Sequence, residues 1–63
     1  MQLNLEPNID SPDDFYEKLI NMQRDLSEDE VQLMNAKLIL VLANHIGDTQ
    51  VLDEAMAVAV AVN

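Results

Sequence analysis

The run Leu38-Ile39-Leu40-Val41-Leu42-Ala43 contains no polar residue. Side chains on a helix cover every direction within about one turn of 3.6 residues, so six apolar residues in succession leave no face for water. The run is far shorter than the roughly 20 residues of a membrane span. A helix carrying it must therefore be covered by protein on nearly all sides. The chain has 63 residues with which to provide that cover, and a domain this small buries a lesser share of its surface than a large one. Two short companion helices scarcely surround such a segment. The expectation is that this helix also packs on a second copy of the chain or on another protein, with Leu38, Ile39, Leu40, Val41 and Leu42 at the interface.

The boundaries of that helix are written in its flanks. Ser27-Glu28-Asp29-Glu30 is a capping box, with a hydroxyl at the N-cap and a glutamate three residues on. Leu26 before the cap and Val31 after it fit the hydrophobic staple that accompanies such boxes. Gly47 suits the left-handed position that closes a helix, and His45 lies in the last turn, where a cation is favoured. The second helix is thus expected over residues 28–46. A first helix is expected over 12–26, with Ser11 as N-cap, Pro12 at the first helical position and Asp13, Asp14 and Glu17 complementing the dipole. Its apolar face comprises Phe15, Leu19, Met22 and Leu26, widened by Tyr16 and Ile20. A third is expected over 49–61, capped by Asp48 or Thr49, with Val51, Leu52, Ala55, Met56 and Ala59 on its apolar face. The Ala–Val alternation from Ala57 to Val62 has the period of a strand, yet Ala dominates and no turn intervenes, which favours helix. Residues 1–10 read as an extended arm: Leu3, Leu5 and Ile9 alternate with polar residues, and Pro7 interrupts the pattern. The predicted fold is all-α, a helical hairpin plus a third helix in one domain over 11–63, preceded by the arm, and the argument from cover makes an oligomer the expected state.

Charge and cysteine content limit the chemistry. The formal net charge is −9, with no Cys and one His. A surface this negative repels phosphates and anionic lipid, so nucleic acid and membrane partners are not expected. Disulfides and thiolate metal sites are excluded, and a lone His does not build a structural zinc site. No basic, then apolar, leader precedes the arm, and the expected location is the cytoplasm.

Five features bear on function. Neither Asp10-Ser11-Pro12 nor Leu26-Ser27-Glu28 matches the Asp-Ser-Leu context of an acyl carrier, and capping accounts for both serines. Asn8, Asp10 and Asp14 are spaced like part of a calcium loop, but Asp13 stands where that loop needs Gly and Leu19 where it needs a bidentate Glu. Asn44, His45 and Asp48 form the one candidate polar site: a His beside an acid can serve as a base and its orienter. No nucleophile accompanies them. A His in a last helical turn is more often a terminus or interface residue, and an Asn beside an apolar run suits a register-fixing hydrogen bond across an interface. Lys37 can lay its stem along the apolar surface and reach water with its ammonium, or pair with acids of the first helix. Met22, Met34 and Met56 suit a core or an adaptable binding face. No cofactor, no metal and no catalytic residue are expected.

Glu6-Pro7-Asn8-Ile9-Asp10, Asp14-Phe15-Tyr16-Glu17, Leu38-Ile39-Leu40 and above all Leu42-Ala43-Asn44-His45-Ile46-Gly47-Asp48 together resemble the small bacterial proteins grouped as domain of unknown function 2783. The resemblance covers roughly residues 5–56 and leaves out the Ala–Val tail. It brings no established activity and assigns no residue a role. Such proteins are often encoded beside flavin-dependent aromatic hydroxylases and other catabolic enzymes, which implies an accessory role. The expected function is a non-catalytic interaction or accessory module, a homodimer or the ligand of another protein. The alternative is a small-molecule or minor enzymatic role around Asn44, His45 and Asp48.

Overall fold

The computed structural model describes residues 1–61. It is all-α, with α1 over Pro12–Gln23, α2 over Glu28–Ile46 and α3 over Thr49–Val60. No strand occurs among the described residues. Val62, the last step of the Ala–Val alternation, and Asn63 lie outside them.

Local chemistry explains where α2 begins and ends. Ser27 is extended at φ −69° and ψ 167°, which frees its hydroxyl to accept the Glu30 N–H at 3.2 Å. The Glu30 carboxylate in turn accepts the Ser27 N–H at 2.9 Å. These bonds, the one from the Ser27 backbone foremost and the Ser27 side chain next, hold the Glu30 carboxyl below its ordinary value. At the other end Gly47 takes φ 71°, and its N–H donates to the Ala43 carbonyl at 2.8 Å. A Cβ at Gly47 would meet nothing closer than the Asn44 carbonyl at 3.7 Å. The demand for glycine there comes from the backbone conformation and not from crowding.

The next helix starts on the following residue. Asp48 Oδ1 accepts the Gln50 N–H at 3.0 Å and the Val51 N–H at 3.4 Å. Asp48, and not Thr49, is therefore the cap of α3. The helix stops at Val60, one residue before the expected end, because Ala61 turns extended at ψ 132° while its N–H still reaches the Ala57 and Val58 carbonyls.

Two expectations about α1 are corrected. Ser11 stands at the N-cap position, and its carbonyl accepts the Phe15 N–H at 3.0 Å, but its hydroxyl makes no capping bond. At ψ 77° its backbone lacks the extended geometry found at Ser27, so the hydroxyl is not aimed at the first-turn donors. The helix also ends at Gln23 and not at residue 26. The N–H groups of Arg24 and Leu26 bond three residues back, to Asn21 and Gln23, which tightens the chain out of α-geometry. Leu26 must leave the helix because Ser27 has to be extended to cap the next one.

Residues 1–10 form neither helix nor strand. The Asn4 side chain accepts the Glu6 N–H at 2.9 Å, a local turn that competes with an extended run. Leu5 and Ile9 are exposed and Leu3 is half-buried.

Tertiary packing is sparse. Contact between elements is concentrated where α2 and α3 meet. Val51, 4 % exposed, is the one buried residue among those described, and the apolar face of α1 stays largely open at Phe15, Ile20 and Met22. The radius of gyration is 13.4 Å, against about 11 Å for a compact domain of this length. The chain exposes 5847 Å² of surface, whereas a compact monomer of its 7.1 kDa mass would expose about 4,100 Å².

With so little burial, the caps carry a large share of helix stability. Ser27→Ala is expected to cost about 1 kcal/mol, read as a shift of the urea midpoint followed by circular dichroism. A carboxylate held below its ordinary value contributes stability that is present above that value and is lost as pH falls through the lowered one. Acid titration of helicity should therefore show a loss in that window, and Glu30→Gln, which keeps an acceptor, should remove Glu30's part of it.

Candidate functional site

The four residues Ile39, Leu40, Val41 and Leu42 are 64 %, 70 %, 65 % and 50 % exposed. Successive helical residues point about 100° apart, so these four span the whole circumference of α2. Among the described residues, no neighbour buries that turn on any side. Leu38 differs, being half-buried, as are Val31 and Met34 on the same flank. The sequence called for enclosure of this segment on nearly all sides, and the folded subunit does not supply it.

On one side this surface deepens into a groove of about 490 Å³ between α2 and α3. From α2 come Ile39, Leu40, Leu42, Ala43 and Ile46; from α3 come Leu52, Ala55, Met56 and Ala59. The wall from α3 has the spacing i, i+3, i+4, i+7 of one helical face. All nine side chains are apolar, so the groove offers a ligand contact area but no side-chain hydrogen bond. Its floor exists because the Gly47–Asp48 corner sends α3 back alongside α2. A second hollow, of about 420 Å³, is formed by the bend of residues 4–9 with Pro12.

The polar candidates are arranged differently. Asn44 and His45 are exposed in the last turn of α2, and neither lines the groove. Asp48 is half-buried and its Oδ1 is engaged by the first turn of α3. Its other oxygen lies 3.9 Å from the Met1 ammonium. A carboxylate committed in this way to two backbone N–H groups has an evident structural duty. Lys37 is exposed and makes no ion pair among the described residues. Among those residues no three His or carboxylate side chains gather as metal ligands would, and no helix is long and apolar enough to cross a membrane.

Sequence reasoning missed the contribution of α3 to this surface. The signal is present in the spacing of Leu52, Ala55, Met56 and Ala59, but that spacing gives only the apolar side of a helix and not what the side adjoins. Met56, one of the three methionines considered as filler, is open on the groove, and Met22 is open on α1.

The difference between Asp48 and His45 can be measured. Asp48→Ala should cost about 1 kcal/mol in urea unfolding, and Asp48→Ser, which keeps an N-cap acceptor, only a few tenths. His45→Ala should stay within about 0.5 kcal/mol of the unaltered chain, as surface substitutions usually do.

No curated protein and no solved structure matches this chain. A family model does, over residues 3–61. That span is wider than the 5–56 read from the motifs: it takes in Leu3 and Asn4 at one end and Ala57 to Ala61 of the Ala–Val tail at the other. The whole of α1, α2 and α3 thus falls within one family, and the chain belongs to the family described as protein of unknown function (DUF2783).

Proposed function

We propose that the chain is a non-catalytic protein-interaction module that binds through α2 and the groove it shares with α3. The observation that carries this reading is the full turn Ile39–Leu42, at least half exposed in every direction. Apolar surface is driven out of water at about 25 cal/mol per Å², and a contiguous patch of this kind marks an interaction site. Such a surface gives a partner helix area and shape to pack on. An accessory role beside a catabolic enzyme, such as an aromatic hydroxylase, fits a small acidic protein of this kind and rests on the family resemblance.

A ligand-binding or enzymatic role around Asn44, His45 and Asp48 has less in its favour. It needs a pocket that brings polar groups together. The groove of α2 and α3 has no polar side chain in its wall, and Asp48 is engaged in holding α3.

The test is the state in which the protein is found. Light scattering of the purified chain, with affinity capture from its native cell, should find it in a defined complex, either with itself or with another protein. Leu40→Asp should abolish that complex, since a carboxylate cannot be buried unpaired at an apolar contact. A solitary, cooperatively folded subunit that captures nothing would overturn the reading.

A further inference from the structure

We infer that the Leu40 side of this surface is covered by a second copy of the same chain, related by a two-fold axis, with the two α2 helices side by side and antiparallel. The inference rests on the interaction reading above and names its partner. Three observations lead to it: how much surface needs cover, how the side chains of α2 alternate in size, and where its charges lie.

The amount comes first. The subunit exposes 5847 Å², about 1,700 Å² beyond a compact monomer of its mass. A standard transient interface takes about 800 Å² from each partner, and obligate homodimers take 1,000 Å² or more. The excess is therefore on the scale of an obligate contact, even after a share of it is assigned to the exposed arm. A subunit in which Val51 alone is buried among the described residues has almost no core of its own. Its partner has to be at hand whenever it folds, and a second copy always is.

The pattern on α2 points the same way. Leu33, Ala36, Leu40 and Ala43 are spaced 3, 4 and 3 apart, which places them within about 80° of one another on the helix. Spacing of this kind makes a seam for a second helix. Leu33 and Leu40 are well exposed, Ala36 is exposed and Ala43 borders the groove. The seam alternates large and small. Turned about a two-fold axis level with Leu38, it becomes its own complement: Leu33 comes opposite Ala43 of the second copy, and Ala36 opposite its Leu40. Large meets small in every layer, the arrangement that fills space between helices. A parallel pair would set Leu on Leu and Ala on Ala, leaving alternate layers crowded and empty.

Charge selects the same orientation. Glu28, Asp29 and Glu30 crowd the first turn of α2. A parallel pair would place both acidic turns side by side. The antiparallel pair sends them to opposite ends of a 19-residue helix, about 28 Å apart, well beyond the screening length of about 8 Å at physiological salt. The seam between them has no acidic residue from Val31 to Gly47, so two chains of net charge −9 can meet there.

The absence of Cys from the sequence makes the register testable by single introduced thiols in the full chain. In the antiparallel pair Leu33 faces Ala43 of the second copy, while each of these positions lies about 15 Å along the axis from its own counterpart. With the helices 8–10 Å apart, those counterparts exceed the roughly 7 Å that a disulfide spans. Leu33→Cys and Ala43→Cys chains, mixed, allowed to exchange and then oxidised, should give a cross-linked dimer, and neither variant alone should. The unaltered chain should scatter light as twice 7.1 kDa, and its melting midpoint should fall on tenfold dilution. Cross-linking by either variant alone would overturn the antiparallel pair, as would a mass other than twice the subunit. A one-to-one complex with a different protein, with no link between copies, would overturn the second-copy inference and leave the interaction reading standing. A folded solitary subunit with no partner would overturn both.

Discussion

The whole structure depends on an imbalance between local and tertiary stabilisation. Each helix is well provided at its ends: a reciprocal pair of hydrogen bonds at Ser27 and Glu30, a left-handed glycine at Gly47, a carboxylate at Asp48. Between the helices there is little, and Val51 alone is buried among the described residues. Isolated helices of 12 to 19 residues are marginal in water, because most helical stability in proteins comes from packing an apolar face. The apolar faces exist here, on all three helices, and remain largely open. Within the subunit, the end caps therefore carry more of the stabilisation than the packing of one helix on another.

That imbalance also decides what the residues reveal by themselves. The start of α2, its end at Gly47 and the cap at Asp48 are set by side chains within three or four positions of the backbone groups they satisfy. Chemistry of that range is legible in a sequence. Ser11 shows where such reading stops: the residue type is right, the position is right, and the backbone at ψ 77° leaves its hydroxyl without a capping bond. The end of α1 was misplaced for a related reason. Leu26 continues the apolar period of one helix and serves the cap of the next, and only the geometry shows which claim prevails. The openness of Ile39 to Leu42 follows from the length of the chain against its apolar content. The groove does not, because it needs the angle at which α3 returns along α2, which a three-residue motif does not encode.

Membership of the DUF2783 family places these features in company without assigning them a task. The family match reaches across all three helices and part of the arm. It thus covers both the end caps and the exposed seam, and it gives the polar residues of the α2–α3 corner no priority over the apolar ones. The physical case separates them. Asp48 has a visible duty to the backbone. Leu40 has none within the subunit, and a large aliphatic side chain held in water by a well-capped helix needs an explanation that Asp48 does not.

The corner at Gly47 and Asp48 has a consequence for the order of events. One residue closes α2 and the very next opens α3, so the elbow is specified by contacts no more than four positions apart. Nothing distant has to be found before it forms. Helices of this size relax in about 0.1–1 μs, and architectures built from near-neighbour contacts are the fastest to assemble. The turn between the two walls of the groove is therefore specified without help from any distant part of the chain. The slower part of assembly is then the packing of apolar faces, not the turning of the backbone.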